Sequence, residues 1–168
     1  MNSDNASMQE DIKALERFHI TLEWLIALQD RHPQALQYGL VHISFHDRHR
    51  LGQLYGAKEA VKMLVDLANQ LRNKFRQADL IARDGMDFWI LVPYTNPETV
   101  STKISTLIEM ASDHGLDVVD RDVAVFSLPD PEVIGKMHFA TVPEFLAHLK
   151  QHRQITLHWE QVCQPEAT

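Results

Sequence analysis

The chain has 168 residues, 45% of them hydrophobic and 23% charged, with a formal net charge of −7. That length suits one ordinary domain with a real core and is too short for two comfortable ones. The acidic balance disfavours non-specific nucleic-acid binding, which needs a basic face, although a local basic pocket stays compatible with it. The single cysteine, Cys163, cannot form an internal disulfide and fits a reducing compartment. The polar, acidic N-terminus lacks a basic start followed by an apolar core, so no signal peptide is expected. No apolar stretch approaches membrane-spanning length, and the expected location is the cytoplasm. Ten histidines make the charge sensitive to mild acid but identify no function.

Residues 1–10 read as a disordered tail. From Asp11 to about Arg31, apolar residues recur at three- and four-residue steps, which predicts a helix, in one piece or two. His32-Pro33 ends it. Gly39 to Phe45 alternates and reads as a strand, with Val41, Ile43 and Phe45 on one face and His42, Ser44 and His46 on the other. Ala57 to Phe75 is amphipathic, with Val61, Leu64, Val65, Leu67, Ala68 and Leu71 on the expected buried side. Leu80 to Val92 reads as a hairpin. Asp84-Gly85 suits a tight turn because both residues tolerate positive φ, and Phe88 to Val92 has the apolar run of a central strand. Pro97 starts a further helix that Gly115 ends. Asp122 to Leu128 is a strand, Leu128 to Pro131 a loop, Val142 to about Gln151 a short helix capped by Thr141, and Ile155 to Trp159 a final edge strand. The order predicts an α+β domain over residues 11–160, its central sheet mostly antiparallel and flanked by helices, followed by a short tail at 161–168.

Around the hairpin the residues Arg76, Asp79, Arg83 and Gly85-Met86-Asp87-Phe88-Trp89 stand at the spacing of a known signature. They resemble the diguanylate cyclase (GGDEF) family, whose pattern is Arg-x-x-Asp, a strand, Arg-x, and Gly-Gly-Asp/Glu-Glu-Phe. The resemblance implies a nucleotidyl-cyclase-like palm with a ferredoxin-like sheet. It is specific at the hairpin and weak toward both ends. Tyr55-Gly56 anchors the other half of the family pattern, Asp-Ile-Asp-x-Phe-Lys-x-x-Asn-Asp. Several positions depart from it. Met86 replaces the second glycine and fills the space where the backbone approaches nucleotide, and Phe88 replaces the glutamate. Ser44 and His46 stand in place of the two aspartates, His49 replaces the lysine, and Gly52 and Gln53 replace the Asn-Asp pair. Asp87 keeps the acidic metal-ligand position. Mg²⁺ is held by carboxylates together with substrate phosphates, and one aspartate facing a serine is a poor site for it. The late Tyr-x-Ala-Lys signature is missing, with Arg153 nearest its lysine. The expectation is therefore a protein that is not an enzyme, with no catalytic residue, no metal and no cofactor.

Arg76 and Asp79 match the family's inhibitory Arg-x-x-Asp site, where cyclic di-GMP binds. Arginine makes paired hydrogen bonds to phosphate or to guanine, and a carboxylate accepts from guanine N1 and N2. Arg72, one turn earlier, and Arg83 complete the candidate ligand set. The bland alternative is a local Arg–Asp ion pair of little worth. The family often has a further arginine on the helix after the hairpin, and that region here offers Lys103 and Leu107 instead. His46 with His49 and Asp87 is the only histidine set within reach of one ion, because residues four apart on a strand, such as His42 and His46, lie about 13 Å apart. The sequence reading is a regulatory bacterial domain that binds cyclic di-GMP and signals to a protein partner, with a homodimer compatible and no nucleic acid or membrane insertion. The alternatives are a ligand-free interaction module that kept the fold, and a residual enzyme acting on GTP through Asp87.

Overall fold

The computed structural model describes residues 2–32, 37–45, 48–75, 79–92, 97–116, 121–128 and 141–151. Among these the elements run α1 (Asn2–Arg31), β1 (Tyr38–Phe45), α2 (Arg48–Tyr55), α3 (Ala57–Lys74), β2 (Leu80–Asp84), β3 (Asp87–Val92), α4 (Pro97–Asp113), β4 (Arg121–Leu128) and α5 (Val142–Gln151). The four strands form one sheet in the order β2-β3-β1-β4, and every pairing is antiparallel. β1 is paired on both sides, which explains why nearly every one of its residues is buried.

Alternation along the strands divides the core in two. Val41, Ile43, Phe45, Ile81, Phe88 and Ile90 face α3 and α4 and pack with Leu64, Leu67, Leu71, Ile104 and Leu107. On the opposite face Leu40, Trp89, Leu91 and Phe126 meet Phe18 and Leu22 of α1 and Phe145 and Leu149 of α5. The sheet is thus covered on both faces, as its long apolar runs require. This is the α+β arrangement expected from the sequence.

Three local expectations change. α1 is one continuous helix and begins at Asn2 rather than after a disordered tail. Residues 5–10 are exposed apart from half-buried Ser7, so they carry no apolar stripe that periodicity could detect. α2 gives no periodic signal for the same reason: among its described side chains only Leu51 is fully buried. Val61, expected in the core, is 41% exposed and lines a cavity beside the hairpin. The hairpin itself follows the reading, with Gly85 at φ +62°, and Gly115 at φ +82° follows the end of α4. The expected loop at 129–131 and the edge strand at 155–159 lie outside the described residues.

Candidate functional site at the hairpin

The β1–β3 register sets Ser44 opposite Asp87 and His42 opposite Trp89. All four side chains therefore lie on the sheet face covered by α1 and α5. His42 is fully buried. Its ring stacks on Trp89 with centroids 4.2 Å apart, and its Nε2 donates to Asp87 Oδ1 at 2.9 Å. Lys150 reaches in from α5, and its Nζ donates to Asp87 Oδ2 at 2.7 Å. Burial pushes the Asp87 carboxyl up, but the hydrogen bonds and positive charge of His42 and Lys150 outweigh it and hold the carboxyl well below the usual carboxylate range.

Each oxygen of Asp87 thus has a donor, and one donor is an ammonium. A divalent ion would have to displace Lys150, and Ser44 supplies no second carboxylate. The donor set does not fit Mg²⁺. Among the described residues no group of three or more His, Cys, Asp or Glu side chains is placed to hold a metal. His46 lies outside the described residues. His49 is on α2, where its Nε2 accepts from Gln53 Nε2 at 2.9 Å, and the described histidine that meets Asp87 is His42.

At the hairpin tip, Phe45 N donates to Met86 O at 3.2 Å, tying β1 to the turn. A cavity of about 230 Å³ lies between the tip and α2–α3, lined by Leu51, Gly52, Ala57, Arg83, Gly85 and Met86 among others. Met86 was expected to fill this space. It packs instead against the core and forms one wall of the cavity, because its unbranched chain lies down on apolar neighbours. The Phe88 ring meets Phe45 edge-on at 5.6 Å inside the α3–α4 core. It is a packing residue, as its central strand implies.

The candidate ligand residues divide. Arg76 lies outside the described residues. Asp79 is almost fully buried and forms an ion pair with Lys103 of α4, whose ammonium also sits 5.7 Å above the Phe75 ring. Arg72 and Arg83 converge elsewhere, on Asp11 of α1. Arg83 Nη2 lies 2.9 Å from Asp11 Oδ2 and Arg72 Nη1 lies 3.4 Å from Oδ1. Arg83 Nη1 also donates to Gly85 O at 2.6 Å, and Arg72 bonds Asn69. Burial draws the Arg72 pKa down, and Asp11 works against that shift.

Two of these residues escaped the sequence reading. Lys150 had a signal: Ala147-His148-Leu149-Lys150 carries a lysine at the end of the four-residue step of the family's Tyr-x-Ala-Lys, and lacks the tyrosine that would have marked it. Arg153, the residue expected nearest that lysine, lies outside the described residues. Asp11 also had one. It falls in register with Ala14, Phe18 and Leu22 on the stripe that α1 buries.

The family described as "Diguanylate cyclase, GGDEF domain" matches residues 15–123. The chain belongs to the GGDEF family. Solved GGDEF proteins share the fold at low identity. The active GGEEF domain of a diguanylate cyclase from Vibrio cholerae is 17% identical, with 71% of this chain and 76% of that one covered at a TM-score of 0.52. A sensory box/GGDEF family protein from Caulobacter crescentus is 17% identical, with 77% and 84% covered at 0.52. The diguanylate cyclase SiaD of Pseudomonas aeruginosa, solved in complex with its activator SiaC, is 18% identical, with 82% of this chain and 55% of that one covered at 0.51. No curated protein matches the chain. The expectation that this GGDEF protein is not an enzyme is overturned by the match to a family of diguanylate cyclases. Substitution at Ser44, His46, Gly52, Met86 and Phe88 shows how the site differs and does not show loss of turnover. Among the described residues no helix is long and apolar enough to cross a membrane.

Proposed function

We propose that this GGDEF domain is a cytoplasmic receptor for cyclic di-GMP, binding it through Arg76 and Asp79 with Arg72 and Arg83 completing the ligand set, and passing the signal to a protein partner. The observation that carries the reading is the Lys103–Asp79 pair. It sets a cation from the helix after the hairpin, a lysine where the family often has an arginine, beside the aspartate of the Arg-x-x-Asp motif. Asp79 would accept from guanine N1 and N2, while Arg76 and Lys103 meet the base and phosphates. The protein-partner half draws support from SiaD, a GGDEF protein solved with a protein activator.

Calorimetry with cyclic di-GMP, and with GTP and Mg²⁺ as the comparison, tests this. Micromolar or tighter binding that disappears in a folded Arg76→Ala variant is the expected result. Absence of binding to the wild type overturns it. The GTP arm reads turnover directly, and Mg²⁺-dependent product lost in Asp87→Ala would make the Asp87 site a working one.

A second reading is a ligand-free interaction module. It is favoured by the internal partner of Arg72 and Arg83, both of which engage Asp11. It predicts no nucleotide-dependent thermal shift, with stable association to a protein or to a second copy.

A further inference from the structure

Among the described side chains of α1, Asp11 is the first buried one, only 3% exposed. Its carboxylate is gripped by guanidinium groups from two other elements, Arg72 near the end of α3 and Arg83 on β2. A guanidinium fork presents the same paired donors to a carboxylate as to a phosphate. The Arg72–Arg83 pair is therefore a built anion site that the chain fills with its own side chain. Arg83 also donates to the carbonyl of Gly85 at the hairpin tip and lines the cavity beside that tip, so one arginine of the pair borders an open space.

The same network holds the start of α1. None of residues 5–10 is fully buried, and only Ser7 is half-buried. Beyond Asp11 they are tied to the domain by Asn69, whose Nδ2 donates to Ser7 O at 3.2 Å, and Asn69 is itself bound to Arg72. Farther along, Ala14, Phe18 and Leu22 are buried, and the last two are fixed in the core shared with Trp89 and Phe145. Loss of the arginine contacts would free the segment before Asp11 and leave the rest of the helix in place.

We propose that Asp11 is an intramolecular competitor for the phosphodiester ligand: an anion that claims Arg72 and Arg83 expels Asp11 and releases residues 2–10 of α1 as the signal. This rests on the cyclic di-GMP reading and names its regulation. By linkage, whatever holds Asp11 in place weakens the ligand, and the ligand loosens Asp11 by the same factor.

Hydrogen exchange of the full chain, read by mass spectrometry together with calorimetry, tests it. In Asp11→Asn without ligand, amides in residues 5–10 should exchange about tenfold faster or more while residues 18–31 stay protected, and the variant should bind cyclic di-GMP about tenfold more tightly, within the usual range of coupling. Saturating cyclic di-GMP should produce the same exchange pattern in the wild type, a measurement that needs no variant if Asp11→Asn fails to fold. Unchanged exchange at 5–10 in a folded Asp11→Asn overturns the latch whatever the ligand does. So does wild-type binding without faster exchange there. Failure of both proteins to bind cyclic di-GMP overturns the receptor reading instead.

Discussion

Asp87 shows how neighbours set the state of one carboxyl. Its pKa is depressed by His42 and Lys150 against the opposing effect of burial. A depressed carboxyl contributes stability above its unfolded value of about 3.9, and that contribution drains away as pH falls through and below it. Urea denaturation at a series of pH values should therefore show the wild type starting to lose its advantage over Asp87→Asn as pH falls below about 5, with the loss continuing below about pH 3. A constant gap across that window would mean that the contacts with His42 and Lys150 do not persist in solution. Lys150 is 39% exposed against 19% for Asp87, so Lys150→Met should disturb stability little while raising the Asp87 pKa. NMR titration of the carboxyl reads that shift directly.

The hairpin and α1 carry the consequences at the scale of elements. Gly85 has space around it but sits at φ +62°, so the cost of a side chain there is conformational and not steric. Gly85→Ala should lose about 1–2 kcal/mol and Gly85→Asn less, because asparagine visits the left-handed region more readily. Equal losses in thermal denaturation would place the cost elsewhere. α1 is anchored differently, by Phe18 and Leu22, both fully buried. Phe18→Ala should cost about 3–5 kcal/mol, whereas Ile20→Ala, at a position 67% exposed, should change stability by no more than about 0.5 kcal/mol. α3 was legible almost to its last residue because Leu64, Leu67, Ala68 and Leu71 keep helical spacing on the buried side. α2, with Leu51 as the one fully buried anchor among its described side chains, offered nothing for periodicity to find.

At the scale of the molecule, the two cores share one sheet. Leu67 belongs to the α3–α4 side and Leu22 to the α1–α5 side. Because every strand of that sheet presents residues to both, neither side can open without exposing the other. Leu67→Ala and Leu22→Ala should each cost about 2–5 kcal/mol and leave a single transition with an unchanged denaturant slope. Two transitions in either variant would show that the faces unfold separately. Antiparallel pairing of β1 with β3 also brings Ser44 and Asp87 together across a gap in sequence that no local pattern spans.

The sequence by itself determined the strands, the hairpin turn and the family, because alternation, Asp84-Gly85 and the Arg76-to-Trp89 spacing are local signals carried by neighbouring residues. It also located Asp87 and the arginines. The tertiary structure decided what those groups bind. An ion pair depends on which elements meet, and the meeting of α5 with β3, of α4 with the start of β2, and of α1 with α3 and β2 gave Asp87 to Lys150, Asp79 to Lys103, and Arg72 and Arg83 to Asp11. Charged side chains take whichever opposite charge burial places within reach, and that placement is a property of the packed sheet and its helices.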